Sequence, residues 1–419
     1  MRNSKASQLG EGFRKTTLSN GVRLVSERIP SVRSVSVGIW VFTGSRDETV
    51  EESGISHFIE HMVFKGTANR SMSQIARRME AVGGYLNAFT GKEYTCFYAR
   101  ALDEHLSRAI DTVCDLVLEP TFAEKEISKE KDVVIEEMKM YEDSPEDLVF
   151  DRFESIVYGK HPMGRPVIGN AKSVRRFTRD GLLQYMDAHY TPDNIVLAMA
   201  GNLDHDRAVK LAEKVFRNSA RKERVQRREP VAKYNPEQNV DHKVMQQAHL
   251  VVGRQALSLH HPQRVALSVL NTILGGGMSS RLSQNIREKY GYCYSIYSFL
   301  NLHSDTGDFG VYMGTDGSKI DHARKLIFRE LDKLTLRPVG VQVLRQAKAQ
   351  VKGAIMLGLE SMGSRMMRIG RQELYFKKNF TLDEILAQVD AVKVQDVQDV
   401  AGSLFNPEQF SSAVLLPGV

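Results

Sequence analysis

Two histidines and a glutamate set the chemical question. The stretch Ser53-Gly54-Ile55-Ser56-His57-Phe58-Ile59-Glu60-His61-Met62-Val63-Phe64-Lys65-Gly66 carries His57 and His61 four residues apart. On a helix that spacing projects both imidazoles from one face, where they could grip one metal ion. Glu60 follows His57 by three residues, near the same face and within reach of a water on that metal. H-x-x-E-H is the inverted form of the H-E-x-x-H zinc-protease pattern. The competing reading is two ordinary histidines on a half-buried helix, in a chain with 12 His.

The elements that must position these groups come next. Ser53 can cap the start of the helix and Gly66 can end it, while Ile55, Phe58, Ile59 and Met62 bury its other face. A catalytic zinc also wants a third protein ligand and an open position. A helix expected over 122–141 offers Glu124, Glu126, Glu130, Glu136 and Glu137. Glu130 and Glu137 are seven apart and return to within about 20° on the helix surface. Val133 and Val134 lie beside them, so this face is expected to pack inward, with Glu136 about 100° round from Glu137. Glu137 is the choice for the metal, with Glu130 behind it orienting a ligand or water. Against that stands a plain solvated face, the usual fate of helices rich in Glu and Lys.

At 419 residues the chain exceeds one ordinary core, and two domains are expected. It is 42% hydrophobic and 26% charged, a globular composition. The net charge of +6 is spread among interspersed acids and bases, with no Lys/Arg stripe carrying interleaved aromatics, which argues against nucleic acid. Arg221–Glu229 is a local charge run, read as a solvated linker. Cys96, Cys114 and Cys293 form no C-x-x-C and point to a reducing compartment. The N-terminus has basic residues without an apolar region, so no secretory signal is expected, and Glu11 interrupts what would be a short transit-peptide pattern. No apolar run approaches the ~20 residues of a membrane span. A cytoplasmic, non-membrane protein is the expectation, with the mitochondrial matrix second.

Along the chain, alternating strands over 14–45 lead to the histidine helix, then a helix over 71–82. Gly83-Gly84 open a hairpin with strands over 85–90 and 93–100. Helices follow over 102–118, 122–141, from 144, and over 173–189, then a strand over 195–200 and a helix over 204–217. The second half repeats this order: a strand over 248–254, a helix over 262–274, a Gly275-Gly276-Gly277 loop, a helix over 280–290 and strands near 292–300 and 307–314. Helices over 317–335 and 338–375, two more helices and a strand over 412–416 complete it. This suggests two similar α+β domains, residues 1–218 and 239–419, joined by a charged linker over 219–238. Each is expected to be a mixed or antiparallel sheet covered by helices, an α/β roll. Where the first half has His57-Phe58-Ile59-Glu60-His61, the second has Leu270-Asn271-Thr272-Ile273-Leu274, so the chemistry belongs to the first half.

These segments resemble the pitrilysin/insulinase family of zinc peptidases, especially the two-domain branch that includes the β subunit of mitochondrial processing peptidase and bacterial relatives. The resemblance covers nearly the whole chain. It is carried by His57–Thr67, by Gly83-Gly84-Tyr85-Leu86-Asn87-Ala88-Phe89-Thr90, by Glu130–Met138, by His161-Pro162-Met163-Gly164-Arg165, and by Gly275–Leu282 running on to Tyr294. It implies one zinc ion per chain on His57, His61 and Glu137, Glu60 as general base, and Glu130 as supporting glutamate. It implies that Arg287 and Tyr294 match the family's substrate-site Arg/Tyr pair, although Tyr292 stands where the family usually has Leu. It implies that Leu86, Asn87, Ala88, Phe89 and Thr90 form an edge strand on which an extended peptide substrate pairs. The expected activity is a zinc metalloendopeptidase acting on unfolded or short peptides in a chamber. Family members close that chamber with two such halves, which implies a homodimer, or a heterodimer with a related subunit. The alternatives are a non-catalytic structural partner subunit and a zinc-stabilised scaffold.

Overall fold

A computed structural model describes residues 12–217, 228–232 and 234–418. The first sheet contains β1 (Phe13–Thr17), β2 (Arg23–Arg28), β3 (Ser34–Val41), β4 (Tyr85–Thr90), β5 (Thr95–Leu102) and β6 (Ile195–Gly201) in the order β1-β2-β6-β3-β5-β4. The second contains β7 (Gln238–Lys243), β8 (Ala248–Gln255), β9 (Cys293–Leu302), β10 (Gly307–Thr315) and β11 (Ser411–Pro417) in the order β7-β11-β8-β10-β9. Strands β2-β6-β3-β5-β4 and β7-β11-β8-β10-β9 match position for position. In both, the first pair is parallel and the rest antiparallel. The mixed α+β repeat is therefore real at the level of strand pairing, and among the described residues β1 has no counterpart in the second sheet.

Alternation along β3 explains how the first sheet is covered. Val35, Val37, Ile39 and Val41 enter a core with Ile55, Phe58, Ile59 and Met62 of the histidine helix and with Ile110 and Val113 of the Leu106–Leu118 helix. The opposite pleat presents Gly38 and Trp40 to the Met362–Phe376 helix. A Cβ on Gly38 would lie 2.5 Å from Met366 Sδ, and one on Gly370 would lie 2.5 Å from Trp40 Nε1. The second sheet is built the same way. Leu250, Val252, Phe309 and Val311 join one core, while Val251, Tyr312, Ala413 and Leu415 pack on Leu148, Val149 and Phe153 of the Pro145–Tyr158 helix.

That covering revises the expected domain limits. One compact unit takes the described residues of Met1–Met138, Pro166–Arg228 and Leu357–Leu382, and the other takes Lys139–Arg165, Glu229–Met356 and Asp383–Val419. Each sheet has two apolar faces, its own half's helices cover one, and a helix from the other half covers the second. The helix expected over 338–375 is accordingly two, Val341–Gly358 and Met362–Phe376, which serve different units. The helix expected over 173–189 is also two, Ala171–Arg176 and Arg179–His189. Residues 219–227 and 233 of the expected linker lie outside the described residues. Arg228 is an ion-paired side chain only 11% exposed, not part of a solvated run, and Gln238 opens β7. Among the described residues, no helix is long and apolar enough to cross a membrane.

Candidate functional site

The histidine helix runs Ile55–Val63. Its start is not capped by Ser53. Gly54 holds φ +91 there, and the Glu48 carboxylate accepts the N–H groups of Gly54 at 2.8 Å and Ser56 at 2.9 Å. A charged acceptor satisfies two of the donors every helix start leaves open and complements the dipole. Phe58, Ile59 and Met62 are at most 1% exposed, which fixes the rotation of the helix and turns His57, Glu60 and His61 out of the core.

The two imidazole rings lie 4.6 Å apart between centroids. The Glu124–Glu142 helix brings Glu137 Oε2 to 3.4 Å from His61 Nε2 and 3.9 Å from His57 Nε2. These three residues are the one group among the described residues whose ligand atoms, all within 4.8 Å of one another, could hold a metal ion. Ligand atoms on a tetrahedral zinc stand about 3.3 Å apart at bond lengths of ~2.0–2.1 Å, so the pocket is close to zinc size. Glu136 is exposed, as expected, but so is Val133, because only Val134 and Ile135 of that stretch reach the core.

Charge state favours ligation at His57. Burial, then the His61 charge, pushes His57 down to about 4, so it is neutral with its lone pair free near pH 7. His61 donates Nδ1–H to Glu130 Oε1 at 2.8 Å, which leaves Nε2 to face the metal position. Burial lowers His61, but the Glu130 hydrogen bond and the charges of Glu137, Glu130 and Glu60 outweigh it and raise it. The other oxygen of Glu130 lies 2.7 Å from Lys65 Nζ. Burial works to raise the Glu130 carboxyl, yet the bonds from His61 and Lys65 hold it below the usual range. Lys65 was missed in the sequence, although it follows His61 by four residues and so shares its face.

Glu60 lies beside this cluster, and burial raises its carboxyl more than the Thr90 hydrogen bond and the His61 charge lower it. Thr90 Oγ1 donates to Glu60 Oε2 at 2.6 Å. Thr90 ends β4, which among the described residues pairs only with β5 and is an edge of the sheet. Gly91 N–H bonds inward to Tyr94 O at 2.8 Å, so alternation turns the backbone groups of Leu86, Ala88 and Thr90 to the open side. Ala88 N–H confirms it, being met there by Asn87 Oδ1 at 2.8 Å.

The first unit thus brings His57, Glu60, His61, Glu130, Glu137 and the strand Leu86–Thr90 together. Arg287 and Tyr294 belong to the other unit. Arg287 lies in the last turn of the π-helical stretch Ser283–Glu288 with its guanidinium 2.8 Å from Glu288, and Tyr294 in β9 is 88% exposed. At the second-half positions of the metal motif, Leu270, Ile273 and Leu274 are core residues.

Comparison with known proteins matches two family models along the chain. Residues 23–171 match the family model described as Insulinase (Peptidase family M16), and residues 176–351 match Peptidase M16 inactive domain. A Bacillus subtilis protein named Uncharacterized zinc protease YmxG is 42% identical over 405 residues, covering 97% of this chain and 98% of that one. A Rickettsia felis protein, also named an uncharacterized zinc protease, is 35% identical over 94% of this chain and 96% of its own. Among solved structures, a protease from Helicobacter pylori superposes with TM-score 0.91 at 23% identity over 97% of this chain and 99% of that one. A Pseudomonas fluorescens structure titled peptidase M16 inactive domain gives 0.90 at 20% identity, covering 97% and 98%.

Proposed function

We propose, for a chain that belongs to the insulinase family of peptidases (M16), that it is a zinc-dependent endopeptidase acting on unfolded or short peptides. The observation that carries the reading is one set of contacts. His57, His61 and Glu137 converge at ligand spacing, and Glu60 beside them is hydrogen-bonded to the end of an open sheet edge. Two imidazoles and a carboxylate suit zinc. When bound, the metal supplies Lewis-acid chemistry, acidifying water and polarising a carbonyl.

The chain's own residues do the rest. The open side of β4 pairs with an extended peptide through Leu86, Ala88 and Thr90, so affinity rests on main-chain bonds and tolerates varied sequence. The Glu60 carboxylate takes a proton from the attacking water and returns it to the leaving amine. Glu130 and Lys65 hold the His61 ring in place. Arg287 and Tyr294 would complete the site of a second copy, or of a related subunit.

The test is zinc analysis with a quenched unfolded peptide as substrate. Chelation should abolish cleavage and added zinc restore it. Glu60→Gln should keep zinc while losing roughly 10²- to 10⁴-fold in turnover. Zinc bound by a wild-type chain that never cleaves peptide would instead mark a non-catalytic partner subunit, and near-normal cleavage by Glu60→Gln would remove Glu60 from the mechanism.

A further inference from the structure

Arg228, a described residue of the charge run ending at Glu229, is a side chain that the peptidase reading leaves unused. It grips Asp47 with two bonds, Nε to Oδ1 at 2.9 Å and Nη2 to Oδ2 at 2.8 Å. It also reaches Glu93 Oε1 at 3.1 Å, the Glu93 carbonyl at 2.6 Å and the Phe42 carbonyl at 3.3 Å, and lies 4.1 Å over the Phe42 ring. Arg46 pairs with the same Glu93 oxygen at 2.9 Å, and the Tyr375 hydroxyl donates to the other at 3.0 Å. Arg46, Asp47 and Glu93 are each no more than 1% exposed in their side chains. Two cations thus balance two buried carboxylates, with the bidentate geometry that makes buried pairs tenable.

The segments joined are those that carry the site. Asp47 precedes Glu48, which caps the histidine helix. Glu93 lies in the turn between β4 and β5, immediately after the strand whose Thr90 holds Glu60. Ser45 N–H to Gly91 O at 3.2 Å and Arg46 N–H to Lys92 O at 2.8 Å lace the two segments together. Tyr375 packs on Phe42 and Tyr94, and Tyr94 packs on Phe89 of β4. A side chain that only neutralised Asp47 would not also need the carbonyls of Phe42 and Glu93, one from each segment.

We infer that Arg228 is a positioning residue for the substrate strand, clamping the segment that leads to the histidine helix onto the turn that ends β4. It thereby fixes where a peptide on the β4 edge lies relative to Glu60. The inference rests on the peptidase reading above.

Peptide affinity in the Glu60→Gln background, where cleavage is slow on the time scale of a titration, tests it. A fluorescent unfolded peptide is titrated by anisotropy well below the melting temperature, beside zinc affinity from chelator competition. Arg228→Met should weaken peptide binding about tenfold while zinc affinity stays at the parent value. Arg228→Lys, which keeps the charge but loses the fork, should recover part of it. Should Arg228→Met not fold, the charge-balanced pair Glu93→Gln/Arg228→Met carries the same expectation. Parent-like peptide affinity in a folded Arg228→Met or Glu93→Gln/Arg228→Met protein, even with a lowered melting temperature, overturns the inference. A parent protein that binds neither zinc nor peptide overturns the peptidase reading itself.

Discussion

Thr90 and Glu60 are joined by a 2.6 Å hydrogen bond, so the residue that ends the open strand also holds the residue assigned as base. In the proposed mechanism, substrate pairing and proton transfer would therefore share one anchor. A hydrogen bond to a charged group is worth about 1.5–3 kcal/mol. Thr90→Val should lower kcat/KM on the order of 10- to 100-fold at unchanged zinc content. Wild-type kinetics in that variant would show that Glu60 is oriented by other contacts.

Glu130 sits between His61 at 2.8 Å and Lys65 at 2.7 Å. Replacing a partner that orients a metal ligand typically costs roughly 10- to 100-fold in metal affinity. Glu130→Gln should show a loss of that size in chelator competition. Lys65→Met should lose less, since it leaves the His61 bond in place. If zinc affinity did not change in Glu130→Gln, the glutamate would be a passive buried acid.

His205 gives a pH prediction away from the metal position. Its Nδ1 is 2.7 Å from Ser26 Oγ and its Nε2 is 2.8 Å from Thr16 Oγ1. Burial, then the charge of Arg14, lowers it below the ordinary 6.5, while Asp206 and Asp204 pull the other way. The fold therefore favours the neutral ring. Its contribution is present above pH 6.5 and is lost as pH falls through the lower folded value. Urea unfolding at pH 7.5 and pH 5 should show a smaller stability loss on acidification in His205→Gln than in wild type. Equal losses would mean that His205 does not contribute to the acid sensitivity.

The exchanged helix can be tested at Gly370. A Cβ there meets the fully buried Trp40 ring at 2.5 Å, and Trp40 Nε1 donates to Met366 Sδ at 3.4 Å. Gly370→Val should cost about 3 kcal/mol by overpacking. Chemical denaturation of the purified variant measures it, and an unchanged midpoint would contradict the packing of this helix on β3.

A site completed by a second copy predicts complementation. Glu60→Gln and Tyr294→Phe chains, each impaired alone, should regain peptidase activity when mixed. An inactive mixture would place Tyr294 outside the partner's site.

The sequence by itself determined a candidate metal clamp, because helix geometry alone puts His57 and His61 on one face and apolar residues on the other. It also settled which half carries it, since Leu270 and Leu274 cannot ligate. Glu137 was reachable through the seven-residue return from Glu130, though periodicity could not tell an inward face from a solvated one, and Val133 went the other way. Only the tertiary structure decided the rest. Glu48 displaces Ser53 as the cap, Thr90 finds Glu60 thirty residues away, and Arg228 meets Asp47 and Glu93 across more than a hundred. The exchange of the Pro145–Tyr158 and Met362–Phe376 helices belongs to the same class. Local pattern shows that a strand such as β3 alternates, with Ser34, Ser36 and Gly38 on its second pleat, but which helix covers that face is a long-range choice. It depends on shape, on Gly38 and Gly370 leaving room for Met366 and Trp40, and periodicity carries no record of it.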